Sequence, residues 1–176
     1  MASPVFTEPH ENFAASFVAA LREGLHLHIM APEKIERVEK DFAGWLRDEQ
    51  DMSRPVELPD GTKVQRIPQT TRWLVNDGNF IGVVNVRHSL SEHLRREGGH
   101  IGYAVRASER CKGYGRLLIN EGLRVARELG HDRALITCND DNIGSIRLIE
   151  GAGGVLEDKI MPADADVLRR RYWVQL

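Results

Sequence analysis

The sequence contains little cysteine, no long apolar run and almost no net charge. Two cysteines, Cys111 and Cys138, are too few for a disulfide framework among 176 residues, and no metal-ligand spacing surrounds them. We therefore expect neither a disulfide-stabilised protein nor a metal site. Every apolar run is too short for a membrane-spanning helix, so no membrane association is expected. Met1 to Val5 carry neither a basic segment nor an apolar stretch, which argues against a signal peptide and for a reducing, cytoplasmic location.

Charge and composition indicate an ordinary globular domain. The 24 Lys and Arg residues nearly balance the 26 Asp and Glu residues, for a formal net charge of −2 at pH 7. This balance argues against nonspecific binding of nucleic acid, so no nucleic-acid partner is expected. Hydrophobic residues make up 41% of the chain and charged residues 28%, which excludes wholesale disorder. The length suits one domain over residues 1–176.

The first part of the chain is predicted to be mainly helical. One helix is predicted to end at Gly24, and a second to begin after Pro32. The second helix has one apolar face, made by Ile35, Val38, Phe42, Trp45 and Leu46. We interpret residues 1–65 as a helical extension in front of a core at residues 70–176.

Strands and helices alternate in the rest of the chain. The polar segment 48–63, which contains Pro55, Pro59 and Asp60-Gly61, predicts a loop or a small hairpin. An Asp77-Gly78 step between two β-rich runs predicts a tight hairpin turn. The predicted strands are 72–75, 80–86, 101–105, 134–138, 154–157 and 172–175. The predicted helices are 90–96, capped by Ser89 and Glu92, then 116–129 and 142–150. This order favours an α/β architecture in which a helix joins two parallel strands.

The segment Arg110-Cys111-Lys112-Gly113-Tyr114-Gly115-Arg116 lies between a predicted strand and a predicted helix. Its glycines permit conformations that direct several backbone N–H groups at one point, and the helix adds its positive dipole end. A phosphate or pyrophosphate is the natural ligand of such a loop. The dinucleotide-binding pattern is incomplete because position 118 is Leu, and no Gly-Lys-Ser/Thr follows for a P-loop.

The pattern Arg-x-x-Gly-x-Gly at 110–115, after a strand that reads Gly-Tyr-x-Val, resembles the acetyl-CoA loop of the GNAT superfamily of N-acetyltransferases. A second GNAT motif reads Asn-x-x-Ala-x-x-x-Tyr-x-x-x-Gly-Phe. The matching frame here consists of Asn142, Ser145, Ile149, Gly153 and Gly154. The resemblance covers residues 70–158. It implies a mixed, mostly antiparallel sheet with a parallel β-α-β core that binds acetyl-CoA.

The resemblance also implies which residues contact acetyl-CoA, the acyl donor. The pyrophosphate would be held by the loop residues Arg110, Cys111, Lys112, Gly113, Tyr114, Gly115 and Arg116. The pantetheine arm would pair with the strand at Ala104, Val105 and Arg106. Asn142 and Ser145 would contact the arm from the second helix. Asn142 is equally a helix N-cap, and the two roles are compatible.

The implied reaction is the transfer of an acetyl group to an amine, which needs a base for the ammonium and an acid for the leaving thiolate. In GNAT enzymes the proton donor is usually the Tyr of the second motif. This sequence has Ile149 at that position, and isoleucine cannot donate a proton, so the role is not assigned to it. Tyr172 is the replacement we select, with Tyr103 and Tyr114 as alternatives; an ordinary strand tyrosine explains Tyr172 as well. His100 is the candidate for the base, because the pKa of histidine lies near neutral pH. The alternative interpretation is that His100 has only a packing or surface role. Cys138 is interpreted as a buried structural thiol.

Three functions follow. The first is an N-acetyltransferase for an amine of a small molecule or peptide. The second is a catalytically silent acyl-CoA-binding or sensor module, suggested by Ile149. The third, a nucleotide-binding protein, is disfavoured by the incomplete motifs. The acidic residues at 48–51 and 140–141 have two interpretations: they attract a cationic amine, or they lie in loops exposed to solvent. The sequence leaves monomer and homodimer both open.

Overall fold

The computed structural model describes residues 3–25, 32–57, 61–162 and 165–176. The strands are β1 (Val5–Thr7), β2 (Val56–Glu57), β3 (Lys63–Val64), β4 (Gln69–Asn76), β5 (Asn79–Arg87), β6 (Ile101–Val105), β7 (Arg133–Asn139), β8 (Val155–Ile160) and β9 (Arg169–Gln175). The α-helices are α1 (Ala14–Arg22), α2 (Pro32–Lys40), α3 (Phe42–Gln50), α4 (Tyr114–Glu128) and α5 (Ile143–Gly151). Short turns of 3-10 helix lie at Glu11–Phe13 and Ala107–Glu109, and a π-helical turn lies at Leu94–Gly98. Among the described residues, no helix is long and apolar enough to cross a membrane.

Seven strands form one sheet in the order β1-β4-β5-β6-β7-β9-β8. The pair β6–β7 is parallel, and the other pairs are antiparallel. Helix α4 joins the two parallel strands, as expected for a crossover connection. The predicted fold class, a mostly antiparallel sheet with a β-α-β core, is therefore confirmed.

The hairpin predicted at Asp77-Gly78 forms, and the segment 48–63, predicted to be a loop or a small hairpin, contains a hairpin. Strands β4 and β5 are joined at Asp77 and Gly78, whose φ angles of 47° and 77° match the tight turn that Asp-Gly favours. Strands β2 and β3 pair with Val56 opposite Val64 inside the polar segment. Pro59 and Asp60, which helped to predict that second hairpin, lie outside the described residues.

Two apolar cores cover the two faces of the sheet. Helices α4 and α5 pack on one face, where Gly122 lies so close to the sheet that a Cβ there would come within 2.7 Å of the Ile101 side chain. Helices α1, α2 and α3 pack on the other face around an aromatic cluster. In that cluster Phe17 stacks on Trp73 with ring centroids 4.7 Å apart. Strand β1 adds to the sheet edge beside β4, so the N-terminal segment contributes a strand as well as helices.

Two helix predictions need correction. The helix predicted after Pro32 is two helices, because Asp41 leaves the helical conformation (φ −141°, ψ 72°) and its Oδ1 accepts a hydrogen bond from the Gly44 N–H at 2.8 Å. This is an N-cap, which starts α3. The short helix predicted at 90–96 is capped by Ser91, whose Oγ accepts from the Leu94 N–H, rather than by Ser89. It runs on to Gly98 as a π-helical turn.

Candidate active site

A gap opens between β6 and β7 near the middle of the sheet. The described ladder between these strands consists of one pair, Ile101 with Ile136. On its other side, β6 is bonded to β5 through residues such as Arg106, whose N–H donates to the Ile81 carbonyl at 2.8 Å. Since hydrogen bonds alternate along an antiparallel strand, Gly102, Ala104 and Arg106 bond to β5. The backbone groups of Tyr103 and Val105 therefore face the gap.

This alternation changes the predicted pairing of β6 with an extended ligand. Ala104, Val105 and Arg106 were predicted to pair with the ligand through their backbone. Of these three, only Val105 has its backbone N–H and C=O directed toward the gap, and Tyr103 is the second residue of β6 that does. The Arg106 guanidinium instead binds Glu23 at 2.5 Å, and Glu23 also accepts from the Ser108 N–H. These bonds hold the pKa of Glu23 at about 2. The side chain of Arg106 thus connects the end of α1 to the segment that precedes the loop.

The loop that follows β6 forms a concave run of backbone N–H groups. Cys111 and Gly113 both have left-handed backbones, with φ angles of 61° and 86°. Such residues turn successive N–H groups toward one point, which makes an anion-binding nest. Gly113 is also the N-cap of α4 and supplies no side-chain cap, so the positive end of the helix dipole faces the same place. A Cβ at Gly113 would meet nothing within 4 Å, so the space in front of the loop is open.

The charged side chains of the loop are arranged around this nest. The Arg110 Nε donates to the Val105 carbonyl at 3.3 Å, which holds the side chain beside β6. Lys112 pairs with Glu109 at 3.1 Å. Arg116, exposed on the first turn of α4, has no ion pair within the described part of the chain. The loop therefore presents more positive than negative charge to a ligand.

The start of α5 lies at the same edge of the sheet as this loop. Because β6 and β7 are parallel, the segments that follow them emerge side by side. Asn142 caps α5, and its Oδ1 accepts from the Ser145 N–H at 3.0 Å. The helix N-cap interpretation of Asn142 is confirmed, and contact of Asn142 and Ser145 with a cofactor stays a prediction. Gly115 allows α4 to approach α5, since a Cβ there would lie 2.7 Å from Leu148.

The structure separates the three candidate tyrosines. Tyr103 lies on the strand that borders the gap, and its hydroxyl is buried without a hydrogen bond of standard geometry to any described residue. Burial raises its pKa, and the nearby Ser145 hydroxyl opposes that shift. The Tyr172 hydroxyl is already engaged, since it donates to Glu150 at 2.9 Å and accepts from Arg170 at 3.1 Å. Tyr114 is the first residue of α4.

Strand alternation was the signal that would have identified Tyr103 in the sequence. Ile101, Tyr103 and Val105 share the face that carries α4 and α5. Ile149, at the position of the GNAT tyrosine, is fully buried in the same core. Tyr103 on β6 therefore contributes a hydroxyl group to the core that contains Ile149, where the GNAT motif would have a tyrosine.

His100 lies far from the loop. Its ring is 4.8 Å from that of His131, which follows the carboxyl end of α4, whereas the loop precedes the amino end. Fifteen helical residues separate the two ends by about 22 Å. The His100 Nδ1 accepts from the Leu135 N–H at 2.9 Å, and burial lowers the pKa of the ring to about 4. The structure does not bring His100 and the loop together, and its role as a base stays a prediction.

The two cysteines lie in different environments. Cys138 is buried, as expected, and burial raises the pKa of its thiol to about 11, which disfavours the thiolate form. Cys111 is exposed in the loop. Within the described ranges, no group of three or more His, Cys, Asp and Glu side chains is placed to hold a metal ion.

Comparison with known proteins identifies the family. The profile of the Acetyltransferase (GNAT) family matches residues 34–153, which is more than half of the chain. The chain belongs to the GNAT family. Comparison with curated protein sequences gives no match.

Solved structures of acetyltransferases share this fold along nearly the whole chain. YncA from Salmonella typhimurium, solved with its cofactor acetyl-CoA, is 14% identical, with a TM-score of 0.60 over 99% of this chain and 95% of that one. A GNAT acetyltransferase from Streptococcus pneumoniae is 16% identical, with a TM-score of 0.64 over 99% of both chains. A ribosomal-protein-alanine N-acetyltransferase from Brucella melitensis is 15% identical, with a TM-score of 0.62 over 98% and 99%. The match includes residues 1–65, which the motifs did not cover.

The GNAT family uses acetyl-CoA, and the geometry of this chain fits that molecule. The nest at Cys111 and Gly113 suits a pyrophosphate, because its N–H groups and the α4 dipole both favour anions. The gap beside Tyr103 and Val105 offers strand-like backbone partners to an extended arm. The two features adjoin, since the loop continues directly from β6.

Proposed function

We propose that this chain is an N-acetyltransferase that moves an acetyl group from acetyl-CoA to an amine of a small molecule or peptide. One observation carries the proposal: the anion-binding nest at Cys111 and Gly113 adjoins a gap where, in the described ladder, Tyr103 and Val105 of β6 have no partner on β7. A pyrophosphate in the nest and an extended arm in the gap place a thioester inside the sheet. An anion site without the gap would equally suit a nucleotide.

Each element of the site has a distinct role in this proposal. The backbone of residues 111–115 and the side chains of Arg110, Lys112 and Arg116 bind the pyrophosphate. The backbone of Tyr103 and Val105 aligns the arm. We assign to an N–H group of this strand the stabilisation of negative charge on the acyl oxygen, since such donors act most strongly in a site that excludes water. Asn142 and Ser145 border the arm from α5.

The chemistry requires two proton movements. Bound acetyl-CoA supplies an acetyl group whose carbonyl carbon bonds to the amine nitrogen while its bond to sulfur breaks. The amine must lose a proton, and the departing sulfur benefits from gaining one. We infer that Tyr103 donates this second proton, because it lies on the strand that borders the gap and its buried hydroxyl makes no hydrogen bond of standard geometry to any described residue. Burial also raises the pKa of this hydroxyl, which keeps it protonated at neutral pH. The Tyr172 hydroxyl is occupied by Glu150.

Calorimetric titration with acetyl-CoA, CoA and ATP tests the binding site. Gly113→Asp places a carboxylate in the nest and should weaken acetyl-CoA binding at least about tenfold by repulsion of the pyrophosphate. Gly130→Asp is a matched control, because Gly130 has nearly the same backbone (φ 83° against 86°) and equally open surroundings, at the opposite end of α4. Preference for ATP, or equal effects of both substitutions, would contradict the proposal.

A catalytically silent acyl-CoA-binding module is the second candidate, and buried Ile149 in place of the GNAT tyrosine favours it. The two candidates predict the same acetyl-CoA affinity and different turnover. An acetyltransferase releases free CoA in proportion to added amine, which a thiol reagent detects. Tight binding of acetyl-CoA with no release of CoA for any amine in a broad panel would favour the silent module.

A further inference from the structure

The face of β6 opposite α4 is open above Gly102. A Cβ at Gly102 would find a single heavy atom within 4 Å, the Nη1 of Arg87 at 4.0 Å. Helices α1 to α3 cover β4 and β5 on this face, and the turn Leu94–Gly98 covers β7 and β9. A groove is therefore left over the middle of the sheet, beside the gap where the thioester would lie. We call it the acceptor groove and define it by Asn85, Arg87 and Gly102.

Arg87 brings a charged group to this groove. Burial lowers the pKa of its guanidinium, although an arginine keeps its charge under ordinary conditions. Its Nη1 donates to the carbonyls of Gly98 at 3.1 Å and Gly99 at 2.9 Å. No carboxylate of the described residues pairs with it. The other N–H groups of the guanidinium are therefore available to a ligand.

Arg87 differs in its partners from two other arginines of the structure. Two other arginines whose side chains are mostly buried bind carboxylates, Arg106 with Glu23 at 2.5 Å and Arg171 with Asp158 at 2.6 Å. Removing a charge from water is costly unless an opposite charge or several hydrogen bonds compensate for it. Two carbonyls supply part of that compensation for Arg87, and a bound anion would supply the rest.

We infer that Arg87 binds a carboxylate of the acceptor, so that the acceptor is an amino acid or a compound with the same pairing of amine and carboxylate. The inference rests on the proposed acetyltransferase function. A guanidinium binds a carboxylate through parallel hydrogen bonds, which fixes the direction of the ligand as well as its charge. Asn85, opposite Gly102 in the sheet register, receives a hydrogen bond from Thr71 at 2.8 Å on its Oδ1, which leaves its amide N–H groups for a second polar contact.

The charge of Arg87 favours an amino-acid acceptor over a polyamine. A polyamine would bring a second positive charge toward Arg87, which repels it. The acidic residues at 140 and 158 do not offset that repulsion, because Asp140 is paired with Lys159 and Arg170, and Asp158 with Arg171. A carboxylate-bearing amine places its negative charge on Arg87 and its amine toward the gap.

The test compares amino acids with the corresponding amino-acid amides as acceptors, with acetyl-CoA in excess and release of CoA as readout. The amides keep the side chain and the amine and lose the carboxylate charge. We expect kcat/KM for the accepted amino acid to exceed that for its amide at least about tenfold, as for a charge-assisted bidentate pair. Arg87→Gln should reduce this ratio toward one, and Arg87→Lys should keep part of it. Arg96→Gln, at an exposed position on the neighbouring turn, should keep the full ratio.

The outcomes are distinguishable. If acetyl-CoA is bound but amides are acetylated as well as amino acids, the carboxylate inference is overturned and the acetyltransferase proposal stands. If acetyl-CoA is bound and no amino acid is acetylated, the inference is also overturned. If acetyl-CoA is not bound, the proposed function fails and takes the inference with it. Should Arg87→Gln fail to fold, the ratios for the unmodified protein and for Arg87→Lys still decide.

Discussion

Ile101 and Ile136 form the single pair in the described ladder between the two parallel strands at the centre of the sheet. Both side chains are fully buried in the core beneath α4. Since this pair lies at the amino end of β6, the rest of β6 separates from β7 and its backbone becomes available to a ligand. The pair thus acts as the apex of the gap on which the proposed function depends.

Tyr103→Phe tests the proposed proton donor. We expect kcat to fall by about 100-fold or more, since one acid–base group contributes roughly 10²- to 10⁴-fold, with little change in acetyl-CoA affinity. The comparison is Tyr172→Phe, which removes a hydroxyl bonded to Glu150 and should cost about 1 kcal/mol of stability with kcat within about twofold. Steady-state kinetics and thermal unfolding measure both. If Tyr172→Phe abolishes turnover while Tyr103→Phe does not, the original sequence prediction is the better one.

The burial of His100 predicts a dependence of stability on pH. The pKa of this ring falls from 6.5 in the unfolded chain to about 4 in the folded protein. The unfolded state therefore binds more protons between these values, and stability is lost as pH falls from about 6.5 to 4, by at most about 3 kcal/mol. His100→Gln, whose amide oxygen can accept the Leu135 N–H, should reduce this loss in urea titrations at several pH values. His93→Gln, at an exposed position, should behave like the unmodified protein.

The same His100→Gln variant tests the predicted base. Because the His100 ring is buried against His131 and its Nδ1 already accepts from the Leu135 N–H, we expect kcat/KM at pH 7.5 to change by no more than about twofold. A loss above about tenfold in a variant that unfolds at the normal temperature would support the prediction made from the sequence.

The Glu23–Arg106 ion pair connects α1 to the segment before the loop. The bonds to Arg106 and Ser108 lower the pKa of Glu23 from 4.5 to about 2, so the stability they contribute is present above pH 4.5 and is lost as pH falls toward 2. Partial exposure screens the pair, so we expect a coupling energy of about 1 kcal/mol. A double-mutant cycle with Glu23→Gln and Arg106→Gln at pH 7 measures it. Coupling indistinguishable from zero would show that the pair does not hold α1 to the loop.

Gly122→Ala tests the close packing of α4 on the sheet. The added Cβ would lie 2.7 Å from Ile101 and 3.0 Å from Val84, so we expect a loss of about 1–3 kcal/mol from overpacking. Gly151→Ala, in α5, meets nothing within 4 Å and should be neutral or stabilising by up to about 1 kcal/mol. Denaturant unfolding distinguishes the two, and equal effects would contradict the packing argument.

Features that depend only on residues adjacent along the chain could be predicted from the sequence. The Asp77-Gly78 turn, the left-handed Gly113 and the Asn142 cap each follow from the conformational preferences of one or two residues. The GNAT loop is such a feature, because glycines and a helix start suffice to form an anion-binding nest. The alternation of strands and helices likewise predicted a parallel pair joined by α4.

Only the tertiary structure decided which distant side chains meet. Arg87 and Gly102 border one groove, and His100 lies at the far end of α4. The Tyr172 hydroxyl is bonded to Glu150, whereas the Tyr103 hydroxyl makes no hydrogen bond of standard geometry to a described residue. The sequence by itself determined the family, the cofactor loop and the main elements, since these rest on local backbone chemistry. The choice of acid and of acceptor charge depends on strand register and helix packing, which bring together residues that are far apart along the chain.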